Sequence, residues 1–369
     1  MKKSTKFGAG LLVMGLAVTL TACGGNKAGG NVGGKSTSGE KPDKTVHTAA
    51  IVTDVGGVDD KSFNQGAWEG LKEWGEANKL EKGANGYDYF QSTDASQYTT
   101  NIDQAVASKF ETVFGIGYLL TDAISAAADQ NPDTQFGIVD SVIKGKDNVV
   151  SLTFKDNEAA YLAGIAAAYS TKSDKVGFIG GEEGEVIDRF EAGFVKGVED
   201  GAKELDKKIK VDVQYAASFG DPAKGKALAA NMYQNGIDII YHASGGTGAG
   251  VFQEAKDLNE KQPADKRVWV IGVDRDQEED GNYKDKDGKE ENFTLTSSIK
   301  GVGTAVKDVT EKAQKGEFPG GDVLVYGLKE GGVDLSKGHL DQKALDAVEK
   351  ARKEVIDGKV EIPEKPAKK

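Results

Sequence analysis

Short apolar runs alternate with amphipathic segments along most of this chain. Phe63, Ala67, Leu71 and Trp74 recur every three to four positions after Ser62, which predicts a helix with Ser62 as its N-cap. Further helices are predicted over 96–108, 121–128 and 157–170. The strands predicted in this half cover 46–52, 87–90, 112–116, 135–139 and 148–154. Strands that alternate with helices indicate parallel sheets with helices on both faces.

The second half of the chain repeats this alternation. Strands are predicted over 176–179, 209–215, 237–241 and 268–273, and helices over 187–201, 222–234 and 250–258. Beyond them the pattern predicts a strand over 292–299, a helix over 302–314, a strand over 323–327 and a helix over 345–360. Two such series predict two similar α/β lobes. Because the late elements follow both series, we expect the chain to cross between the lobes more than once and to leave a hinged cleft.

The N-terminus follows the plan of a secretory signal. Lys2, Lys3 and Lys6 precede an apolar run over 11–20, and the run leads into Leu20-Thr21-Ala22-Cys23. A helix needs about 20 apolar residues to span a bilayer, so this run is too short for a transmembrane segment. Cys23 is the only cysteine of the 369 residues, and its position resembles a bacterial lipobox.

We therefore interpret residues 1–22 as a lipoprotein signal peptide and Cys23 as the acylated first residue of the mature chain. Residues 23–45, rich in Gly, Ser and Lys, are interpreted as a flexible tether. The expected location is the extracytoplasmic face of the bacterial cell membrane. The alternative is an ordinary cleavage site that a cysteine follows by chance.

The charge balance narrows the classes of partner. The chain has 59 acidic and 47 basic residues and a formal net charge of −12. Nucleic acids require a basic surface, and so does a broad electrostatic attachment to anionic lipid. We therefore expect no nucleic-acid partner, a membrane attachment that depends on the lipid, and a monomer. His47, His242 and His339 have no metal-ligand spacing, and neither a metal nor a cofactor is expected.

Candidate binding residues follow the predicted strands. Ligands of open parallel sheets bind beyond the carboxyl ends of the strands. Four charged residues stand at or just after such ends, namely Asp54, Asp140, Asp274 and Lys300. The loop 242–250 contains four glycines, so a ligand can approach its backbone closely.

Two residues at the start of the first helix have open interpretations. Phe63 is either a core residue or a stacking surface at the cleft. Asn64 offers both a donor and an acceptor, which suits the edge of a base or a sugar. Asp54 can accept two hydrogen bonds from a vicinal diol such as that of ribose, or it is a solvated turn residue.

Several motifs together resemble the basic membrane protein family of nucleoside-binding lipoproteins. The first is Asp-Val-Gly-Gly-Val-Asp-Asp-Lys-Ser-Phe-Asn-Gln-Gly-Ala-Trp-Glu-Gly-Leu at 54–71. The others are Asp-Asn-Glu-Ala-Ala-Tyr-Leu-Ala-Gly at 156–164, the glycine loop 242–250, Gly-Val-Asp at 272–274 and Ser-Ser-Ile-Lys at 297–300. The resemblance covers about residues 46–335.

The resemblance implies a type I periplasmic-binding-protein-like fold that captures nucleosides for the permease of an ABC importer. It places a nucleobase between Phe63 and Phe219. It assigns the ribose hydroxyls to Asp54, Asp274 and Lys300, with help from Gly245, and the edge of the base to Asn64 and Asp140.

The expected lobes are discontinuous in sequence. Residues 46–155 with about 275–300 are predicted to form the N-terminal lobe. Residues 156–274 with about 301–340 are predicted to form the C-terminal lobe. The remaining residues, 341–369, are expected to form a helix and a Lys-rich tail.

Two alternatives stay open at this point. One is a protein of the same fold that binds a sugar or a signalling ligand, or that serves a membrane sensor. The other is an enzyme that hydrolyses the glycosidic bond of a nucleoside with Asp54 and Asp274 as its carboxylate pair. No other catalytic arrangement is visible in the sequence, and we expect a binding protein.

Overall fold

A computed structural model describes residues 47–367. The predicted signal peptide, the predicted acylation site Cys23 and the predicted tether lie outside the described residues. Within 47–367, none of the helices combines the length and the apolar composition that a membrane span requires.

The elements follow the predicted order closely. The strands are β1 (Ala49–Thr53), β2 (Tyr87–Phe90), β3 (Thr112–Ile116), β4 (Gln135–Val139), β5 (Val149–Phe154), β6 (Lys175–Gly180), β7 (Lys210–Tyr215), β8 (Ile239–Ala243), β9 (Trp269–Asp274), β10 (Asn282–Lys284), β11 (Glu290–Asn292), β12 (Thr294–Lys300), β13 (Val323–Tyr326) and β14 (Val333–Leu335). The helices are α1 (Phe63–Ala77), α2 (Tyr98–Ala107), α3 (Thr121–Gln130), α4 (Asp156–Ser170), α5 (Glu185–Glu204), α6 (Pro222–Gln234), α7 (Gly248–Asn259), α8 (Val302–Gln314) and α9 (Gln342–Ile356).

Two six-stranded sheets carry the fold, and they share one pattern of strand order. The first sheet has the order β13-β5-β4-β3-β1-β2, and the second has the order β14-β12-β9-β8-β6-β7. Neighbouring strands in both sheets are parallel, except that β14 is antiparallel to β12. The prediction of two similar α/β lobes built on parallel sheets is confirmed.

Two late strands, β12 and β13, belong to the opposite lobes from those expected. Strand β12 pairs with β9 in the second sheet, and β13 pairs with β5 in the first. The segment 294–300 therefore lies in the second lobe, and the assignment of 275–300 to the N-terminal lobe was wrong for this strand. Strand composition does not identify the sheet that a strand joins. The β10–β11 hairpin occupies the acidic segment between β9 and β12, so the chain returns beside β9.

Helix α8 lies in the first lobe, against α1, so the assignment of 301–340 to the C-terminal lobe was wrong for α8 and for β13. A Cβ atom on Gly70 would lie 2.1 Å from the carbonyl oxygen of Gly303, so only glycine permits this approach. The chain thus passes into the second lobe after β5, returns to the first lobe after β12, and leaves it again after β13. The predicted repeated crossing between lobes is confirmed.

Helix α4 follows the first crossing and is buried on almost every side. It is rich in alanine and packs closely against α5, where a Cβ atom on Gly197 would lie 2.1 Å from the carbonyl oxygen of Tyr161. Helix α9 also packs against α4. The chain then returns to the start of α4, where Asn157 Nδ2 donates to the carbonyl oxygen of Ile362 at 3.1 Å. This arrangement fixes the N-terminus of α4 beside the cleft.

Candidate ligand-binding site

The carboxyl ends of the two sheets face one cavity between the lobes. It encloses about 530 Å³, including its open mouth. All eight residues predicted from the sequence line it: Asp54, Phe63, Asn64, Asp140, Phe219, Gly245, Asp274 and Lys300. The structure brings these residues together, while their roles toward a ligand stay predictions.

A hydrogen-bond network fixes the side chain of Asn64. Its Nδ2 donates to Asp54 Oδ1 at 2.7 Å and to Asp60 Oδ2 at 3.0 Å. Since only the NH₂ group can donate to two carboxylates, the amide oxygen must face the other way. Asn64 Oδ1 is buried and has no hydrogen-bond partner among the described residues.

Ser62 occupies the predicted N-cap position of α1, but the side chain that accepts from the first N–H groups of the helix is Asp60. Asp60 Oδ1 accepts from the backbone N–H groups of Ser62 at 2.9 Å and Gln65 at 3.1 Å, and Oδ2 accepts from that of Asn64 at 2.9 Å. Ser62 was predicted as the N-cap, but its hydroxyl donates to Asp274 Oδ2 in the second lobe. The nearby carboxylate satisfies the first N–H groups of the helix, which releases Ser62 for the contact between lobes.

Two further contacts join the lobes at the same place. Gln277 Nε2 donates to the carbonyl oxygen of Lys61 at 3.0 Å. The guanidinium of Arg275 donates to both carboxylate oxygens of Glu69, at 2.9 and 3.1 Å. The lobes are therefore closed against each other beside the N-terminus of α1.

Lys300 forms the charged centre of the cavity. Its Nζ lies 2.6 Å from Asp140 Oδ2 and 3.0 Å from Asp156 Oδ1, and all three side chains are buried. Burial alone would lower the pKa of Lys300, but the carboxylates of Asp140, Asp156 and Asp274 outweigh burial and raise it. Lys300 is therefore an ammonium ion. Arg189 supports this group, because its Nη2 donates to Asp156 Oδ2 at 2.9 Å.

Two carboxyl groups in the cavity have raised pKa values. Burial raises the pKa of Asp274 to about 7, although Lys300 and the hydrogen bond from Ser62 oppose the shift. Burial also raises the pKa of Asp54 to about 6, with the Asp140 carboxylate adding to it and the Asn64 amide opposing it. Ligand hydroxyl groups that donate to these carboxylates would relieve this desolvation.

Phe63 is the first residue of α1 and its ring borders the cavity. The ring centroid lies 5.3 Å from Lys300 Nζ. Gly117, at the end of β3, allows this placement, since a Cβ atom there would lie 3.4 Å from the ring and 3.2 Å from Asp54 Oδ2. The ring is half-buried, so part of it is available for contact.

In the second lobe, the glycine loop holds Phe219 in position. The backbone N–H of Thr247 donates to the carbonyl oxygen of Phe219 at 3.0 Å, and the Thr247 hydroxyl donates to that of Ser218 at 2.9 Å. A Cβ atom on Gly181 would lie 2.2 Å from the Phe219 ring, so a small residue is required beneath it. Gly245 has a φ of +54° and begins the turn before α7.

The sequence did not identify four residues of this site. Asp60 and Tyr118 line the cavity. Asp156 pairs with Lys300, and Arg189 pairs with Asp156. Tyr118 stands two residues beyond β3, where the rule of strand ends would have found it. The ion pair could not be found in this way, because it depends on how α4 and α5 pack. Among residues 47–367, no three His, Cys, Asp or Glu side chains cluster as metal ligands.

Two α/β lobes that close on a cavity at their strand ends are the architecture of periplasmic-binding-protein-like proteins. A solved structure of an ABC transporter solute-binding protein from Aeropyrum pernix K1 superposes with a TM-score of 0.73 at 23% sequence identity, over 85% of this chain and 92% of that one. This likeness confirms the periplasmic-binding-protein-like fold.

Residues 47–366 match the family model described as ABC transporter substrate-binding protein PnrA-like, also called Bmp. The protein belongs to this family, whose members are extracytoplasmic solute-binding proteins and not enzymes. Over 365 residues it is 53% identical to the ABC transporter nucleoside-binding protein BmpA of Lactococcus lactis, covering 99% of this chain and 100% of that protein. It is also 48% identical to the CD4+ T-cell-stimulating antigen of Listeria monocytogenes, covering 99% of this chain and 100% of that protein.

Proposed function

We propose that this protein captures nucleosides in the cavity between its lobes and delivers them to the permease of an ABC importer. The observation that carries the proposal is the meeting of two aromatic rings, Phe63 and Phe219, with Asp54, Asp274 and Lys300 in one cavity. The rings come from opposite lobes. The relative named as nucleoside-binding, at 53% identity, supports the same conclusion.

The two aromatic rings would bind the nucleobase by stacking. Stacking of a base on an aromatic side chain contributes about 1–3 kcal/mol per base, and every base offers a π face. Because one ring stands on each lobe, a base between them would be held best when the lobes are closed. The site would then accept different bases.

The charged groups would bind the sugar through its hydroxyl groups. Asp274 uses Oδ2 for the hydrogen bond from Ser62, and Asp54 uses Oδ1 for Asn64 and Gly56. Among the described residues the second oxygen of each carboxylate has no hydrogen-bond donor, so it can accept from a hydroxyl of the ribose. A buried polar site of this kind discriminates strongly against ligands without the matching hydroxyl.

The membrane attachment rests on the sequence of the N-terminus. Acylation of Cys23 would hold the protein at the membrane beside its permease, and the segment 23–45 would let it reach the permease. Cys23→Ser should release the protein from the membrane fraction while nucleoside binding in solution stays unchanged. Membrane retention of this variant would contradict the lipid anchor.

Thermal unfolding with a panel of ligands tests the capture of nucleosides. A ligand that binds the folded state raises the unfolding midpoint by an amount that grows with its concentration. Adenosine, inosine, guanosine, uridine and cytidine are compared with ribose and with the free bases. We expect a shift with at least one nucleoside and much smaller shifts with ribose or the bases. A shift with ribose equal to that with every nucleoside would favour a sugar-binding protein of the same fold.

A further inference from the structure

Tyr118 reaches from the first lobe to the second across the cavity. It follows β3 and Gly117, and its ring meets the Phe219 ring edge-on, with the centroids 6.4 Å apart and the planes at 78°. Its hydroxyl lies 3.7 Å from the position that a Cβ atom on Gly184 would occupy, at the start of α5. Tyr118 therefore borders the same part of the cavity as the Phe219 ring.

The hydroxyl of Tyr118 is buried and has no hydrogen-bond partner among the described residues. Asn64 Oδ1 and Asp140 Oδ1 share this condition, and all three residues line the same cavity. A buried polar atom without a partner costs free energy, and native proteins seldom keep one unless a ligand or a water completes it. Three such atoms around one cavity point to a polar ligand that pairs with them.

Tyr118 supplies a donor where its two companions supply acceptors. Burial raises its pKa to about 12, and the carboxylates of Glu182, Asp54 and Asp140 add to the shift. The hydroxyl therefore keeps its proton at neutral pH. Asn64 and Asp140 present oxygen atoms that can only accept while Asp140 is ionised beside Lys300.

We propose that the Tyr118 hydroxyl donates a hydrogen bond to an acceptor atom of the nucleobase, and so contributes to the choice among bases. The proposal rests on the proposed function. It places the bond on the base because the Tyr118 ring contacts the ring of Phe219, which is assigned to the nucleobase.

The test pairs a change in the protein with a change in the ligand. Tyr118→Phe removes only the hydroxyl oxygen. Adenosine and its 1-deaza, 3-deaza and 7-deaza analogues are titrated calorimetrically into both proteins, since each analogue lacks one ring acceptor. Tyr98→Phe is the matched control, because the Tyr98 hydroxyl is also buried without a partner among the described residues but does not line the cavity.

We expect Tyr118→Phe to weaken adenosine binding roughly three- to tenfold, the usual effect of one hydrogen bond. One deaza analogue should bind the wild type more weakly by a similar factor and bind Tyr118→Phe as well as adenosine does. Tyr98→Phe should bind adenosine like the wild type.

Unchanged adenosine affinity in Tyr118→Phe would overturn the proposal. An equal loss of affinity for adenosine and for all three analogues would also overturn it, because the hydroxyl would then act on the sugar or on the packing. Failure of the wild type to bind adenosine, inosine and uridine is a different result, which would contradict the proposed function itself.

Discussion

The two walls of the cavity are built in different ways. The first lobe contributes a polar wall, in which Asp54, Asn64 and Asp60 form one hydrogen-bond network at the start of α1. The second lobe contributes a mainly apolar wall formed by Val186, Ile187, Phe190, Phe219, Ala243 and Val273, with the backbone of the glycine loop beside it. Its charged members, Asp274 and Lys300, both contact the first lobe or its residues.

This difference indicates that the two walls have different roles in ligand binding. The polar wall is held by hydrogen bonds within its own lobe, so it is ready to select a ligand before closure. The apolar wall excludes water once the lobes meet, which strengthens every polar contact inside. Lys300 joins the two walls, since it belongs to the second sheet and pairs with Asp140 of the first.

Loss of the ammonium that joins the walls should have the largest effect. Lys300→Met leaves Asp140 and Asp156 buried, with Arg189 as the cation that remains beside Asp156. Removing one partner of a buried ion pair costs about 3–5 kcal/mol of stability. We expect a lower unfolding midpoint and loss of nucleoside binding by at least about 100-fold, measured by calorimetry.

The pH dependence of stability gives a second test of Lys300, and a surface lysine variant serves as the control. Burial raises the pKa of Asp140 and Lys300 opposes this shift, so without Lys300 the Asp140 carboxyl binds a proton more readily in the folded state and the destabilisation should grow as the pH rises from 5 to 8. Lys307→Met is the matched control, because Lys307 pairs with Glu73 at the surface, where ion pairs contribute about 0–1 kcal/mol. Equal effects of the two variants would contradict a central role for Lys300.

Removal of one aromatic ring should have the next largest effect. Phe63→Ala and Phe219→Ala should each weaken nucleoside binding by about 1–3 kcal/mol, or roughly 5- to 150-fold, through lost stacking. Phe219→Leu keeps an apolar side chain but no ring, so it should lie between the wild type and Phe219→Ala. Unchanged nucleoside affinity in both alanine variants would show that the two rings do not contribute to ligand binding.

A smaller effect should appear in the stability of the ligand-free protein. Asp274 has a pKa raised to about 7, against about 3.9 for an unfolded aspartate. The folded state therefore binds more protons between these values, and stability falls as the pH rises from 4 to 7. Asp274→Asn removes this loss, so its unfolding midpoint should exceed that of the wild type above pH 7.

The expected gain for Asp274→Asn is at least a few degrees, since each kcal/mol shifts the unfolding midpoint of a domain of this size by about 2–4 °C. The difference should vanish near pH 4, where the wild-type carboxyl is protonated. Nucleoside affinity should fall at the same time. Parallel stability curves for the two proteins between pH 4 and 8 would show that Asp274 does not titrate in this window.

Most of the fold was predictable because apolar periodicity marks strands and helices locally. Helices α6 and α8 and strands β2, β3 and β4 have the predicted bounds. The sheet that β12 joins was not predictable, because it depends on a hairpin hidden in the polar segment before it. The short strand β14 was missed for a similar reason, since three residues carry too little pattern.

The candidate site was predictable wherever its residues stand at strand ends. Asp54, Asp140, Asp274 and Lys300 followed from that rule, and the family resemblance added Phe219 and the proposed roles. The capping role of Asp60 was missed because three backbone N–H groups converge on it only after the loop folds. The pairing of Asp156 with Arg189 likewise depends on two helices that meet in the tertiary structure.

A crystal structure of the protein with adenosine tests the central claim most directly. The account predicts adenine between the rings of Phe63 and Phe219, at stacking distance from both, and ribose hydroxyls within hydrogen-bond distance of Asp274 and Lys300. Adenosine bound outside this cavity, or bound with its base away from both rings, would contradict it.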